Sequence, residues 1–580
     1  MQPVVAPEPG DAVRVVGLDV PGGERRVAAG GLAAVVRDAE ATAAVRPRWT
    51  WDDTNRWYPA LLAAGVRVER AHDLRLAHRI LRQSAVAAWP SPDGAPPGPW
   101  DMLAPVPLTT AAAVAARDEP ATLFADLAPA EATPELDPFA ELDAQNAAVA
   151  GSAAAGRLRL LLAAESAGAL VAVEMYHAGL PWRADVHDEI LTEILGPRPR
   201  AGERPARLED LAVRIRAALE APASLNPDSP RDLLKAMQLA GVGARSLRKW
   251  ELERLDHPVV APLLEYKSLY RLLTANGWAW LDAWARGGRF RSEYVVGGVV
   301  TGRWASSGGG ALQLPKNVRR AVVADPGWTF VVADAAQLEP RVLAAMAGDE
   351  AMAAAGRGAD GSGADMYAGI VASGAVETRE LAKVGMLGAM YGGTTGSSGQ
   401  VLPRLAKAFP RSLAFVDDAA RAGERGEVVT THLGRSSPLP GAGWHEAQSG
   451  AYQDDAGEDE AARARSSARS WGRFTRNFVV QGTAAEWAMC WLASIRRRLW
   501  ALGQAPGADG TLVPQPFAAR PHLALFLHDE VVIHTPASMA EAVADEVRAA
   551  AAEAGGLLFG DFPVQFPLSV AVADCYADAK

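Results

Sequence analysis

The chain has 580 residues, 49% of them apolar and 22% charged, with a net charge of −10. That length allows several domains, and the composition excludes wholesale disorder. The acidic balance excludes a protein that coats nucleic acid non-specifically, so any contact with a phosphate backbone requires a local basic groove. Two cysteines, Cys490 and Cys575, are too few for a disulfide framework or a zinc pattern and read as a reducing cytoplasm. No apolar run reaches membrane-spanning length, and Met1 to Val13 is acidic and proline-containing, unlike a signal peptide.

Residues 12–35 alternate apolar and polar stretches and predict paired strands. Helical patterns follow at Asn55 to Ala64 and Asp73 to Gln83, with Pro/Gly-rich loops at Trp89 to Trp100 and Glu131 to Pro138. This first stretch of 150 residues reads as one small α/β domain. Leu158 to Asp282 is helical and rich in Ala, Leu and Arg, and Asn226-Pro-Asp-Ser-Pro-Arg-Asp232 carries a helix-start signal. Strand-like residues return at Phe290 to Val300. The clearest strands are Val331-Val-Ala-Asp334 and Leu523-Ala-Leu-Phe-Leu-His-Asp-Glu-Val-Val-Ile-His534. Between them, residues 342–500 read as mainly helical, interrupted by a polar stretch from Gly441 to Ser467.

Both clear strands deliver an aspartate, Asp334 and Asp529, at or near the end of an apolar run. Phosphoryl transfer needs charge neutralisation and positioning more than covalent help. Two divalent ions about 3.5–4 Å apart supply both, and hard carboxylate oxygens suit Mg²⁺. Either aspartate alone reads equally as a strand end or a helix cap. The segment Arg379-Glu-Leu-Ala-Lys383-Val-Gly-Met-Leu387-Gly-Ala-Met-Tyr391-Gly-Gly places Arg379, Lys383, Leu387 and Tyr391 at four-residue spacing, on one helical face that drifts by about 40° per step. The Arg–Lys stripe suits a triphosphate. Taken alone it is also an ordinary solvated basic face with Tyr391 in the core.

In order along the chain, these segments resemble motifs A, B and C of the family A DNA polymerases, the DNA polymerase I group. Motif A is Asp334-Ala-Ala-Gln337-Leu-Glu339-Pro-Arg341, motif B is the helix just described, and motif C is His528-Asp529-Glu530. Thr301-Gly-Arg303 with Leu312-Gln313 resembles the family's TGR…LQ segment, and Arg473-Phe-Thr-Arg-Asn477-Phe-Val-Val-Gln481 resembles its primer–template helix.

The resemblance implies a multidomain α/β right-hand polymerase fold of palm, fingers and thumb, preceded by a small RNase H-like exonuclease-type domain. The implied layout is an exonuclease-like domain at 1–150, thumb and connecting helices at 151–300, palm at 301–350 and 471–580, and fingers at 351–470. It implies a cytoplasmic, monomeric, template-directed DNA polymerase acting on primer–template DNA and dNTPs in replication or repair. Two Mg²⁺ ions, with Mn²⁺ as a substitute, would be held by Asp334, Asp529 and the Ala335 carbonyl. Arg379 and Lys383 would bind the β- and γ-phosphates, Lys383 protonating the leaving group. Glu339 would exclude a ribose hydroxyl and Tyr391 would guard the nascent pair, with Gln337 and Leu387 also at the nucleotide. Arg303, Gln313, Arg341, Arg473, Asn477, Gln481 and His528 would contact primer or template, with Glu530 near the metals and the primer end without being a firm ligand.

The chain departs from the family in several places. Leu387 stands where the family has Phe or Tyr, which predicts altered sugar selectivity. Pro340 biases Glu339 away from helical geometry. The Ser224 to Glu265 segment is shorter than the family's thumb tip, which predicts weak duplex grip, and the chain leaves no room for a 5′-nuclease. Proofreading chemistry requires an Asp-x-Glu on the first strand and two further aspartates. The strand reading Val13-Arg-Val-Val-Gly-Leu-Asp19-Val-Pro lacks the first element. Trp57 stands where Trp51-Asp-Asp-Thr-Asn-Arg-Trp57-Tyr should carry an acid, and Asp73 and Asp143 are left as structural residues. A degenerate exonuclease domain is therefore expected. The competing readings are a single-subunit RNA polymerase, a non-catalytic primer–template binding protein, and a nuclease.

Overall fold

The computed structural model describes residues 2–18, 23–42, 45–89, 97–108, 136–200, 202–357, 365–393, 396–450, 457–507, 509 and 511–579. Asp19 to Pro21, residues 90–96 and 131–135 of the two expected loops, and residues 451–456 of the polar stretch lie outside them. The chain forms two compact units. The first comprises Met1–Ala178, Glu293–Gly308 and Gly327–Val572, and the second Gly179–Ser292, Gly309–Pro326 and Ala573–Lys580.

The first unit begins with a five-stranded sheet. Its order is Glu24–Ala28, Ala12–Val16, Val4–Glu8, Arg48–Trp51, Arg70–Asp73. The first three strands are antiparallel and the last two run parallel to the central one. This is the RNase H-like arrangement. Val13 and Val15 alternate inward along their strand. The helices after the two parallel strands start on aspartate caps: Asp53 accepts from the Asn55 N–H and Asp73 from the Leu76 N–H. The central strand, Val4–Glu8, is missing from the sequence reading because Pro3, Pro7 and Pro9 argue against a strand. The structure tolerates Pro7 because the neighbour Arg48–Trp51 pairs with this strand only at Val4, leaving the Pro7 end an edge on that side.

The second sheet of this unit has the order His522–Leu527, Glu530–Pro536, Trp328–Ala335, Leu568–Ala573. Trp328–Ala335 and Glu530–Pro536 pair continuously from Trp328↔Pro536 to Asp334↔Glu530. Phe330, Val331, Val531, Val532 and Ile533 are fully buried. That explains their unbroken apolar run, since neither face of these strands meets water. The helices Ala155–Ala178, Glu458–Leu502 and Ala540–Phe559 pack around the sheet. Ala155–Ala178 is apolar on nearly all sides because it is held between the N-terminal domain and Glu458–Leu502. The stretch expected as thumb, 151–300, therefore contributes to both units. The polar 441–467 stretch is largely helical where described, in Ala442–Gly450 and the start of Glu458–Leu502.

A buried charge cluster sits inside this unit. Arg435 donates to Glu165 at 2.8 Å, and Glu486 accepts from the Leu433 N–H at 2.9 Å and from the Thr431 hydroxyl. Burial pushes the Glu486 carboxyl up to about 7, against lowering by those donors and by Arg435. A carboxyl raised on folding is neutral in both states below its unfolded value, and its ionisation costs the folded state as pH rises towards 7. The parent protein should therefore lose thermal stability between roughly pH 4.5 and 7 relative to Glu486→Gln. Melting curves of both proteins across that range check this, and parallel pH profiles would refute it.

The second unit is helical, with Ala184–Leu195, Ala206–Ala218, Pro230–Leu239, Val260–Asn276 and Trp278–Trp284 as its main elements. Ser229 caps Pro230–Leu239 through the Asp232 N–H, as the sequence signal predicts. A small sheet of Leu180–Pro181, Arg289–Phe290 and Ala285–Arg286 is backed by Trp182, Trp280 and Phe290, whose ring centroids lie 5.0–5.5 Å apart. Among the described residues, no helix is long and apolar enough to cross a membrane.

Candidate active site

The two strand-borne aspartates converge. Asp334, next to last in its strand, is the register partner of Glu530, and the Ala335 N–H donates to the Asp529 carbonyl at 3.0 Å. Asp529 sits in a two-residue hairpin turn whose first residue, His528, has φ 62°. Hairpins usually place glycine at such positions, so the turn holds a bulky residue in a costly conformation beside the acids. Burial pushes the Asp529 carboxyl up to about 6, and the charge of Asp334 adds to the rise. Both results place the two carboxylates within electrostatic reach of each other. Burial and the charge of Arg303 hold the His528 imidazole below its ordinary value.

The expected basic helix is Arg379–Tyr391, capped by the Thr378 hydroxyl on the Leu381 N–H. It stops at Gly392, with φ 75°. A Cβ there would lie 2.6 Å from Cγ of Arg473, so glycine is required for conformation and for approach. Arg379, Lys383, Leu387 and Tyr391 are all exposed along one face, while Ala382, Met386, Ala389 and Met390 are buried on the other. Among the described residues no acid pairs with Lys383, whereas Arg379 is held by Asp365 at 2.6 Å.

At the far end of this face the Tyr391 hydroxyl donates to Glu339 at 2.9 Å, and Arg303 forms an ion pair with the same carboxylate. Glu339 lies in the helix Leu338–Met346. The sequence-level concern about Pro340 is thus corrected: Pro340 sits in the first helical turn, where its missing N–H has no partner to lose. The preceding bend is taken up by Gln337 at φ 51°. Arg303 is set by Gly302, φ 85°, where a Cβ would lie 2.6 Å from Arg435 Nε.

Arg473, Asn477 and Gln481 recur at four-residue spacing on Glu458–Leu502. Asn477 lies against the Tyr391 hydroxyl, and its amide nitrogen is shielded from solvent without an acceptor at hydrogen-bond distance among the described residues.

The model for DNA polymerase family A matches residues 198–577. The chain belongs to this family. Its relatives include the thermostable DNA polymerase I of Thermus thermophilus, 28% identical over 358 residues, covering 57% of this chain and 38% of the relative. The DNA polymerase I of Chloroflexus aurantiacus is 30% identical over 342 residues, covering 53% of this chain and 31% of the relative. The chain thus matches less than two fifths of the length of these curated relatives. The fold is similar to that of the POL domain of an M. smegmatis polymerase in complex with DNA primer-template and dNTP. Its TM-score is 0.65 at 17% identity, covering 98% of this chain and 93% of that one.

Two positions expected at the DNA of a family A polymerase are placed otherwise. Arg341 is 1% exposed. It donates to the carbonyls of Ala336 at 2.9 Å, Gly356 at 2.8 Å and Gln565 at 3.2 Å, and burial holds it down at about 10. It braces the segment after motif A and has no surface to offer a duplex. Glu530 is also buried, at the first position of the wholly buried strand Glu530–Pro536, and its charge acts on Asp529. Gln313 is exposed at the end of the short turn Ala311–Gln313 in the second unit.

Two residues were missed. Asp365 caps the helix Met366–Ala372 and holds both Gln337, at 3.2 Å, and Arg379, tying motif A to motif B. Arg476 donates to the Ala389 carbonyl at 2.9 Å and pairs with Asp417, tying the helix Glu458–Leu502 to motif B. An aspartate just before an apolar run is a legible cap signal for Asp365. Arg476 is one of several arginines on its helix, and its sequence context does not distinguish it.

In the N-terminal domain Asp52, Asp53 and Asp73 are each committed. Trp57 Nε1 donates to Asp52 at 2.6 Å, and Arg56 pairs with Asp52 at the same distance. Asp53 accepts from Arg75 at 2.8 Å and from the Val106 N–H at 3.1 Å. Asp73 accepts from the Thr54 N–H at 2.8 Å and from its hydroxyl at 2.7 Å. The strand assigned to the Asp-x-Glu in the sequence reading is the second in the sheet. The first ends Ala6-Pro7-Glu8, with one acid that pairs with Arg14 and Arg26. Asp143 is exposed on Pro138–Ala150.

Proposed function

We propose that this chain is a template-directed DNA polymerase that extends a primer 3′ end with deoxynucleotides. The observation that carries this is the register pairing that brings Asp334 and Asp529 together, in a chain whose basic helix keeps Arg379, Lys383 and Tyr391 on one exposed face. Two adjacent carboxylates, one of them raised in pKa by burial and then by the other's charge, form a hard oxygen donor set suited to divalent cations. Held by Asp334, Asp529 and the Ala335 carbonyl, Mg²⁺ or Mn²⁺ would neutralise charge at the attacked phosphate and the leaving oxygen. Lys383 and Arg379 bind the β- and γ-phosphates, Arg379 exchanging Asp365 for phosphate, and Lys383 holds the proton delivered to pyrophosphate. Glu339, fixed by Arg303 and Tyr391, fills the space a ribose 2′-hydroxyl would need. Arg303, Arg473, Asn477, Gln481 and His528 hold the duplex. Donors placed at minor-groove acceptors common to all correct pairs sense geometry without reading sequence.

The test is extension of a labelled primer–template with dNTPs or rNTPs as the only substrates. Extension with dNTPs and strong discrimination against rNTPs is expected. Preferential rNTP use would favour the RNA polymerase reading, and binding without extension the non-catalytic one. Leu387, 37% exposed on the nucleotide face, offers no flat ring to the sugar. Leu387→Phe should therefore change nucleotide affinity and the ratio of dideoxynucleotide to dNTP use, and equal steady-state constants in the two proteins would refute that.

The exonuclease-like domain is assigned a structural role, supported by the committed state of Asp52, Asp53 and Asp73. A labelled single strand incubated with the protein and divalent ions should keep its 3′ end. Degradation that survives Asp529→Ala and disappears with Asp52→Ala or Asp53→Ala would overturn this.

A further inference from the structure

The N-terminal sheet carries a charge arrangement that its own fold leaves unbalanced. Arg48 and Arg70 are register partners on adjacent parallel strands, and like charges side by side on a sheet repel. Among the described residues neither has a carboxylate within ion-pair distance. Arg48 reaches only the Ala71 carbonyl at 3.4 Å and Arg70 the Arg46 carbonyl, and Arg70 Nε is shielded from solvent with no acceptor. The nearby acids are engaged elsewhere: Glu69 with Arg46 at 3.7 Å, and Glu553 with Arg497 and Ser494, each at 2.7 Å.

Two cavities share Arg48 and Ala163 in their walls. One, of about 220 Å³, is also lined by Arg70, with Arg496 and Arg497 and the two glutamates just named, Glu69 and Glu553. The other, of about 440 Å³, is lined by Arg159, Asn146, His72 and Gln2. His72 is held by Gln145 at 2.8 Å, and burial, followed by the charge of Arg48, keeps its imidazole below the usual range. The arginines stand at the start of their strands. Asp52 and Asp53 follow the end of the first of these, about 13 Å further along, so this cavity is distinct from the exonuclease-type acids.

We propose that the two cavities that adjoin at Arg48 together bind a mononucleotide, with Arg48 and Arg70 gripping its phosphate in the smaller and the larger one beside Arg159 and Asn146 receiving the nucleoside. Two guanidinium forks present the donors a phosphate accepts best, and the larger lobe lies within the size range of small-molecule sites. An anion there removes the like-charge repulsion and gives Arg70 Nε an acceptor.

The test is calorimetric titration of the full chain with deoxyadenosine monophosphate and, separately, inorganic phosphate, without divalent ions and at matched ionic strength. One saturable site for the nucleotide is expected, weakened about tenfold or more by Arg48→Gln or Arg70→Gln and unchanged by Lys383→Ala. Free of ligand, Arg48→Gln should melt no lower than the parent, because it relieves repulsion. A lower melting temperature would show that the guanidinium is a structural brace and overturn the proposal. No saturable binding, or binding indifferent to both arginine variants, or binding lost in Lys383→Ala, would also overturn it. Inorganic phosphate binding as tightly as the nucleotide would overturn the assignment of the larger lobe.

Discussion

Replacing Asp529 with alanine should reduce the rate of nucleotide incorporation by about a thousandfold or more, the kinetic equivalent of losing several kcal/mol of metal-borne charge stabilisation. Primer–template affinity should survive, because Arg473 and Asn477 stand on a separate helix. The same substitution should not harm the fold. Burial and the charge of Asp334 raise the Asp529 carboxyl to about 6, so ionising it costs the folded state as pH rises from roughly 4 to 6, and that cost persists at neutral pH. Metal-free Asp529→Ala should therefore melt at or above the parent's temperature at pH 8, with the difference shrinking on acidification. Mg²⁺ should stabilise the parent and leave the variant unmoved, as expected when a ligand binds only an intact site. Single-turnover extension and melting curves check the two halves independently. A variant that keeps about a tenth of the parent's incorporation rate would remove Asp529 from the chemistry.

The strands that carry the aspartates were legible because their apolar runs are long and uninterrupted, and they are uninterrupted because helices cover the sheet. The basic helix was legible from its four-residue spacing, and Gly392 ends it where the sequence places Gly-Gly. Other features had no local signature. The first strand of the N-terminal sheet is disguised by three prolines, tolerated only because its Pro7 end lacks one neighbour. Arg341 was placed at the DNA because an exposed and a buried arginine look alike in sequence. Its three carbonyl partners come from residues 336, 356 and 565, and no local window contains them. Asp365 ties Gln337 to Arg379 across more than forty positions.

These tertiary links leave the proposed nucleotide face with all but one of its named cations already paired. Arg379 is held by Asp365, and Arg303 and Tyr391 both engage Glu339. An incoming triphosphate competes with Asp365 for Arg379 but meets Lys383 without an acid partner among the described residues. The two cations should therefore differ in their kinetic roles, with Arg379 exchanging one anion for another and Lys383 gaining its first.

Lys383→Ala should accordingly lower kcat about a hundredfold or more, the range expected for a positioned proton donor. Arg379→Ala should act mainly on KM for dNTP, because its gain on binding is offset by the loss of Asp365. Lys383→Arg keeps the charge but cannot release a proton near neutral pH, so it should recover dNTP affinity without recovering kcat. Pre-steady-state incorporation by the three proteins, read as maximal rate and as dNTP affinity, measures both effects. A Lys383→Ala protein with unchanged kcat and only a raised KM would show that this lysine binds phosphate and does no more.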